Sequence, residues 1–290
     1  MSIYAAARNR LRAVLVHRKQ SGDPRLRAWP EATATSTDGW QSVCNICGWH
    51  GTEFASGYHS EGALCPCCGS IARDRFLYWC WTHRTDYRGK DRVLETSPRL
   101  NDRYRQVMRQ RVQYTASDYD ESAHRAMIKL DIQNIELPDA SVDAVLTPHV
   151  LEHVPDTEKS LAELYRILAP GGHLFLEIPM PQGVTAPPPA DKPEYHGDNT
   201  LVYWRFGWDL REKLIAAGFE TEALVTADLA ERVRSGDIDS GYGGDDCDEV
   251  DLLRHADADK MTPVADSREA RRYGFLPDFM FICWHGVKPA

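Results

Sequence analysis

The chain has 290 residues, 42% of them hydrophobic and 27% charged, and a formal net charge of -9. This is the composition of an ordinary folded protein, long enough to bury a sizeable core. No apolar run approaches the ~20 residues that cross a bilayer, and the acidic balance argues against a chain held to nucleic acid by bulk electrostatics.

Residues 1–40 read as a basic helix and a linker. Over 2–19, Tyr4, Ala7, Leu11, Val14 and Leu15 fall near one face, with Arg8, Arg10, Arg12 and Arg18 mostly elsewhere. That pattern suits a membrane surface, a phosphate contact or, most simply, packing on the protein itself. Pro, Thr, Ser and Gly then mark an irregular connection over 20–40. No charged-then-apolar leader opens the chain, so a cytoplasmic location is expected.

Residues 41–70 read as a four-cysteine module. Cys44 and Cys47 form one C-x2-C pair, Cys65 and Cys68 another, with seventeen residues between them. Each pair suits a tight knuckle, and Gly48 and Gly69 directly follow, where a knuckle needs a permissive backbone. Four converging thiolates match tetrahedral Zn²⁺ and leave no open position, so a structural zinc site is expected. Cys67 is an alternative to Cys68, but the spacing and the following glycine favour Cys68. Disulfides are disfavoured in a chain without signs of export.

Ile71 to Arg84 reads as a connecting helix within 71–90, rich in Phe76, Leu77, Trp79 and Trp81. A larger unit, 91–290, follows. Arg92 to Glu95 reads as its first strand and Asn101 to Arg109 as the helix behind it. Val112 to Ser117 reads as a second strand ending in Asp118, and Met127 to Leu130 as a third ending in Asp131. The buried run Val142 to Leu146 ends in a polar cluster of His149, Glu152 and His153. A helix, a Gly-Gly turn and a second apolar run, His173 to Ile178, come next. Trp208 to Ala217 reads as a helix stopped by Gly218. Glu220 to Val225 and Phe279 to His285 supply two more strands. Such alternation implies a parallel α/β sheet with right-handed crossovers, where ligands sit at the carboxyl ends of the strands.

The insertion 226–278 carries nine acidic residues between Asp237 and Asp259, around a Gly-Tyr-Gly-Gly run. It reads as a mobile, solvated loop. An EF-hand fails, because the fifth position after Asp237 is Gly241 and the twelfth is Asp248.

The text Val142-Asp143-Ala144-Val145, Leu151 to Val154 and Glu163 to Gly172 resembles class I S-adenosylmethionine-dependent methyltransferases, particularly the ubiquinone/menaquinone-type branch. The run Cys65 to Arg75 is similar to a narrower branch with a four-cysteine module before that domain. The resemblance implies a Rossmann-like, seven-stranded methyltransferase sheet whose final pair includes an antiparallel strand. It implies S-adenosylmethionine as cofactor, with Glu95 orienting its methionine end. Asp118 would take the ribose hydroxyls, Asp131 and the Ile132 backbone the adenine, and Pro148 and His149 would flank the sulfonium. Where the family reads acid-x-Gly-x-Gly, this chain has Glu95-Thr-Ser-Pro, so Thr96 and Ser97 would replace some backbone contacts.

Methyl transfer needs alignment and, for some acceptors, a base. The candidate bases are His149, His153 and His196, with His149 preferred and His153 beside it as a catalytic candidate. The region of His196, Tyr203 and Arg205 would shape the substrate pocket by resemblance. The expected reaction is O-methylation of a small molecule or glycan. An rRNA or tRNA base methyltransferase and a non-catalytic zinc-bearing interaction protein are the alternatives. A nucleic-acid acceptor is disfavoured by the charge and by Thr147-Pro148-His149, where an amino-methylating motif would stand.

Overall fold

The computed structural model describes residues 42–55, 63–120, 122, 126–196, 199–237, 249–277 and 279–290. The basic helix and linker read over 1–40 lie outside these residues. So does the Gly-Tyr-Gly-Gly run of the insertion.

Alternating strands and helices build one eight-stranded sheet. In chain order, the first part is helix α1 (Ala72–Arg84), β3 (Arg92–Thr96), α2 (Asp102–Arg111), β4 (Gln113–Asp118) and β5 (Ile128–Lys129). Then come β6 (Val142–Pro148), α3 (Thr157–Ile167), β7 (Leu168–Glu177), α4 (Leu210–Ala216) and β8 (Glu220–Thr226). The chain closes with α5 (Ala227–Ser235), α6 (Glu249–His255), β9 (Met261–Ala265), α7 (Ser267–Tyr273) and β10 (Ile282–Val287). Two short strands, β1 (Ser42–Val43) and β2 (His50–Gly51), pair with each other ahead of the sheet.

The spatial order is β5-β4-β3-β6-β7-β10-β8-β9. The pairs β4–β3, β3–β6 and β6–β7 are parallel, and β10 runs antiparallel between β7 and β8. This is the mostly parallel sheet with one antiparallel strand that the resemblance implies, with an eighth strand added. The eighth is β9, parallel to β8 at the sheet's edge. The expected seven strands and loop-like insertion are corrected here, because β9 and helices α5, α6 and α7 are regular structure inside 226–278. Its Pro263 has no amide to donate, and an edge strand has a side that asks for none.

Helices cover both faces. One buried cluster joins Phe76, Tyr104, Met108, Phe275 and Phe281 with the cysteine knuckles, and the other joins Leu161, Leu164, Phe206, Leu210 and Trp284. Helix starts are fixed by side-chain caps: Asn101 accepts from the Arg103 and Tyr104 amides, and Asp156 from the Lys159 amide. Such caps satisfy donors the helix cannot use itself.

Arg75 bolts the cysteine module to the sheet. It is fully buried, lies 3.7 Å over the Phe54 ring, and donates to the carbonyls of Ala63, Ser70 and Tyr273. Among the described residues no helix is long and apolar enough to cross a membrane.

Candidate functional site

The order of strands reverses between β3 and β6, so the connections leaving these two strands diverge and open a crevice at their carboxyl ends. Thr96 and Thr147 meet across that line, the Thr96 hydroxyl donating to Thr147 Oγ1 at 2.8 Å. Beside them, Ser97 Oγ donates to Asp118 Oδ2 at 2.9 Å, and the Asp120 amide donates to Asp118 Oδ1 at 3.1 Å. Asp118 is therefore anchored at the end of β4.

The loop after β3 lacks glycine yet takes a glycine-like path. Ser97 has φ +48°, and His149, after β6, has φ +49°. Both lie in the left-handed region that costs a non-glycine residue roughly 1–2 kcal/mol. Strain of this kind gathers where a structure over-determines its backbone for a purpose. The Ser97 amide donates a hydrogen bond to the Ser117 carbonyl at 2.7 Å, and the His149 amide donates to the Glu177 carbonyl at 2.8 Å.

Glu95, near the end of β3, is bonded to two tyrosines. Its carboxylate is 2% exposed and accepts from Tyr104 Oη at 2.9 Å and Tyr114 Oη at 2.6 Å. Burial pushes its carboxyl up to about 7, against the two tyrosine hydrogen bonds. Asp131 turns partly onto its own loop, where Oδ1 accepts from the Gln133 amide at 2.9 Å. Ile132 beside it is buried.

Beyond β6 a short 3-10 turn, Leu151–His153, presents a cluster of imidazoles around one carboxylate. Glu152 Oε1 lies 3.6 Å from His149 Nδ1, 3.6 Å from His153 Nε2 and 3.8 Å from His196 Nδ1. Glu152 is 1% exposed, and neither carboxylate oxygen has a hydrogen-bond partner. Burial pushes its carboxyl up to about 7. Burial likewise holds His149 well below the usual imidazole range, with Arg73 adding to the effect. Arg73 Nη1 is 3.4 Å from His149 Nδ1.

The tautomers follow from the partners. His153 Nδ1 lies 2.8 Å from the Leu201 carbonyl, which only accepts, so Nδ1 carries the proton and Nε2 is the acceptor. His196 Nδ1, 3.0 Å from that Nε2, is then the donor.

Of the residues expected to shape a substrate pocket, His196 joins this cluster directly. Tyr203 joins through its backbone, its amide donating to the Glu152 carbonyl at 2.8 Å, while its side chain is exposed. Arg205 turns away to pair with Glu194 at 3.0 Å. Sequence reasoning named Glu152 as part of the polar cluster but gave it no role. Its position at the hub, and Arg73's beside His149, depend on contacts across 44 and 76 residues, which local spacing does not display.

The cysteines make a second centre. Cys44, Cys47, Cys65 and Cys68 are all buried, with their sulfurs within 4.8 Å of one another. Cys44 and Cys68 Sγ are 3.6 Å apart, as are Cys47 and Cys65. Tetrahedral thiolates at the usual zinc–sulfur length stand about 3.8 Å apart, so the donor set fits zinc. The two knuckles repeat one another: Gly48 donates to the Cys44 carbonyl and Gly69 to that of Cys65, at φ +70° and +75°. Cys67 stands outside the four.

Residues 99–176 match the family model described as a methyltransferase domain. A probable S-adenosylmethionine-dependent methyltransferase of Mycolicibacterium smegmatis is 36% identical over 142 residues, covering 44% of this chain and 50% of that one. A relative of the same description from Mycobacterium tuberculosis is 30% identical over 143 residues, covering 46% of this chain and 49% of its own. The chain thus spans about half the length of the curated relatives it matches. Among solved structures, an S-adenosylmethionine-dependent methyltransferase from Mesorhizobium loti is 14% identical with a TM-score of 0.45, covering 73% of this chain and 98% of that one. The stretch from the loop after β3 to the end of β7 carries the methyltransferase-domain match.

Proposed function

We propose that this protein is an S-adenosylmethionine-dependent methyltransferase of the ubiquinone/menaquinone-type branch, acting in the cytoplasm on a hydroxyl of a small molecule or glycan. One observation carries the reading: Thr96, Ser97, Asp118, Thr147 and His149 gather at the sheet's switch point, on a methyltransferase sheet. The glycine-free loop is compatible with the cofactor, because Ser97 already adopts the conformation for which the family uses glycine. When bound, the cofactor supplies an electrophilic methyl group on a sulfonium.

The chain's own residues would then act as follows. Asp118, anchored by Ser97, accepts from the two ribose hydroxyls, which are donors. Asp131 and the Ile132 backbone receive the adenine. Glu95 is a positioning residue that sets the loop after β3 from beneath. Pro148 and His149 border the reacting centre, where alignment and exclusion of water supply most of the acceleration. His149 is the base for an acceptor hydroxyl, and His153, His196, Tyr203 and Arg205 belong to the acceptor side. The four cysteines hold a structural Zn²⁺, which completes a small module too short to build a core alone.

The reading is tested by incubating the protein with donor carrying a labelled methyl group, together with small-molecule, oligosaccharide and RNA fractions. Label should pass to a hydroxyl in one of the first two, and His149→Asn should lower that rate by about 100-fold. Label found in the RNA fraction would contradict the acceptor class.

A further inference from the structure

We propose that Glu152, His153 and His196 form a site for a divalent transition-metal ion, separate from the cysteine centre. The donor set is two imidazoles and one carboxylate, which suits zinc or ferrous iron.

Three independent features point to it. The three donor atoms all lie within 4.8 Å of one another. Their separations are 3.0 Å between the imidazole nitrogens, 3.6 Å from Glu152 to His153, and 3.8 Å from Glu152 to His196. Ligands at the usual distance on a tetrahedral ion stand about 3.3 Å apart, so small side-chain shifts close the triangle around an ion. Second, Glu152 is 1% exposed with both oxygens lacking hydrogen bonds. A buried carboxylate in that condition is costly unless a cation compensates it. Third, the support around the donors is already built. The Leu201 carbonyl holds the His153 Nδ1 proton at 2.8 Å and so leaves Nε2 as the ring's acceptor, 3.6 Å from the carboxylate, the usual outer-shell arrangement of a ligating histidine.

His196 alone must change. Its Nδ1 proton, which now faces His153, moves to its own Nε2, and the ring stays neutral. With three protein donors, the ion keeps an open position beside His149. On the methyltransferase reading, that position takes the acceptor hydroxyl and lowers its pKa; ion binding itself does not depend on that reading.

The test uses the full chain, stripped by chelation and reloaded with Co²⁺. The cysteine centre should give intense thiolate-to-metal absorption, lost in Cys44→Ser. The proposed site should add weaker ligand-field bands without thiolate character, lost in Glu152→Gln and in His196→Asn. Metal analysis should find about two ions per wild-type chain and about one in each of those variants. His196 lies at the surface end of the cluster, so its variant keeps the test valid if Glu152→Gln folds poorly. Equal stoichiometry and unchanged ligand-field bands in wild type, Glu152→Gln and His196→Asn would overturn the proposal and leave a hydrogen-bonded cluster. S-adenosylhomocysteine binding is measured on the same samples. A second ion without nucleoside binding would support this site and reject the methyltransferase reading.

Discussion

Ser97 donates its hydroxyl to the Asp118 carboxylate at 2.9 Å while its own backbone sits at φ +48°. One residue thus does two tasks at the switch point. It bends the loop after β3 as glycine would, and it fixes the acid at the end of the next strand.

Substitution at Ser97 should separate those tasks. Ser97→Gly keeps the bend and loses one hydrogen bond, so thermal stability should change by less than about 1 kcal/mol. Ser97→Val cannot take the left-handed conformation cheaply, and should cost about 1–3 kcal/mol. Affinity for S-adenosylhomocysteine should fall at least about tenfold in the valine variant and far less in the glycine variant. Calorimetry and thermal melts on both variants check this.

Glu95 predicts a pH signature. Burial raises its folded-state carboxyl to about 7, while the unfolded chain keeps the ordinary value near 4.5. The folded state therefore binds more protons between those values, and its stability falls as pH rises through that window. Glu95→Gln removes this term. The variant should gain on wild type by up to about 3 kcal/mol between pH 5 and pH 8. Urea midpoints that stay parallel across that range would contradict it.

Arg75 should be indispensable to the cysteine module. Removing its guanidinium takes a donor from each of the carbonyls of Ala63, Ser70 and Tyr273. Arg75→Met should destabilise by at least about 3 kcal/mol. Arg75→Lys should recover little, because an ammonium cannot present a planar fork to separated acceptors. Denaturant unfolding of both variants measures it.

Metal removal should act through the same module. Chelation, or Cys44→Ser, should release one zinc ion and lower the melting temperature by about ten degrees or more, since structural zinc contributes folding energy directly. Native metal analysis paired with thermal melts gives the answer.

Much of this architecture was readable from local pattern. Buried runs such as Val142 to Leu146 and Leu174 to Ile178 announce strands, and acids at 118 and 131 follow such runs. The cysteine spacing foretold four sulfurs in one place. Other features depend on partners far along the chain. Pro263 disguises β9, because only its edge position excuses the missing amide. The left-handed backbone at Ser97 and His149 leaves no mark in residue type. The burial of Glu95 is set by Tyr104 and Tyr114, and the meeting of Glu152 with His196 by a loop that returns over the turn after β6. Local periodicity carries none of these.

The central claim is that the acid anchored by Ser97 grips an adenosyl ligand at the line between β3 and β6. Isothermal calorimetry of S-adenosylhomocysteine with wild type and Asp118→Ala tests it most directly. Wild type should bind with one site per chain, and the alanine variant about 100-fold more weakly, the loss of two charge-assisted hydrogen bonds. No heat of binding from a folded wild-type protein, or equal affinity in the two, would contradict the account.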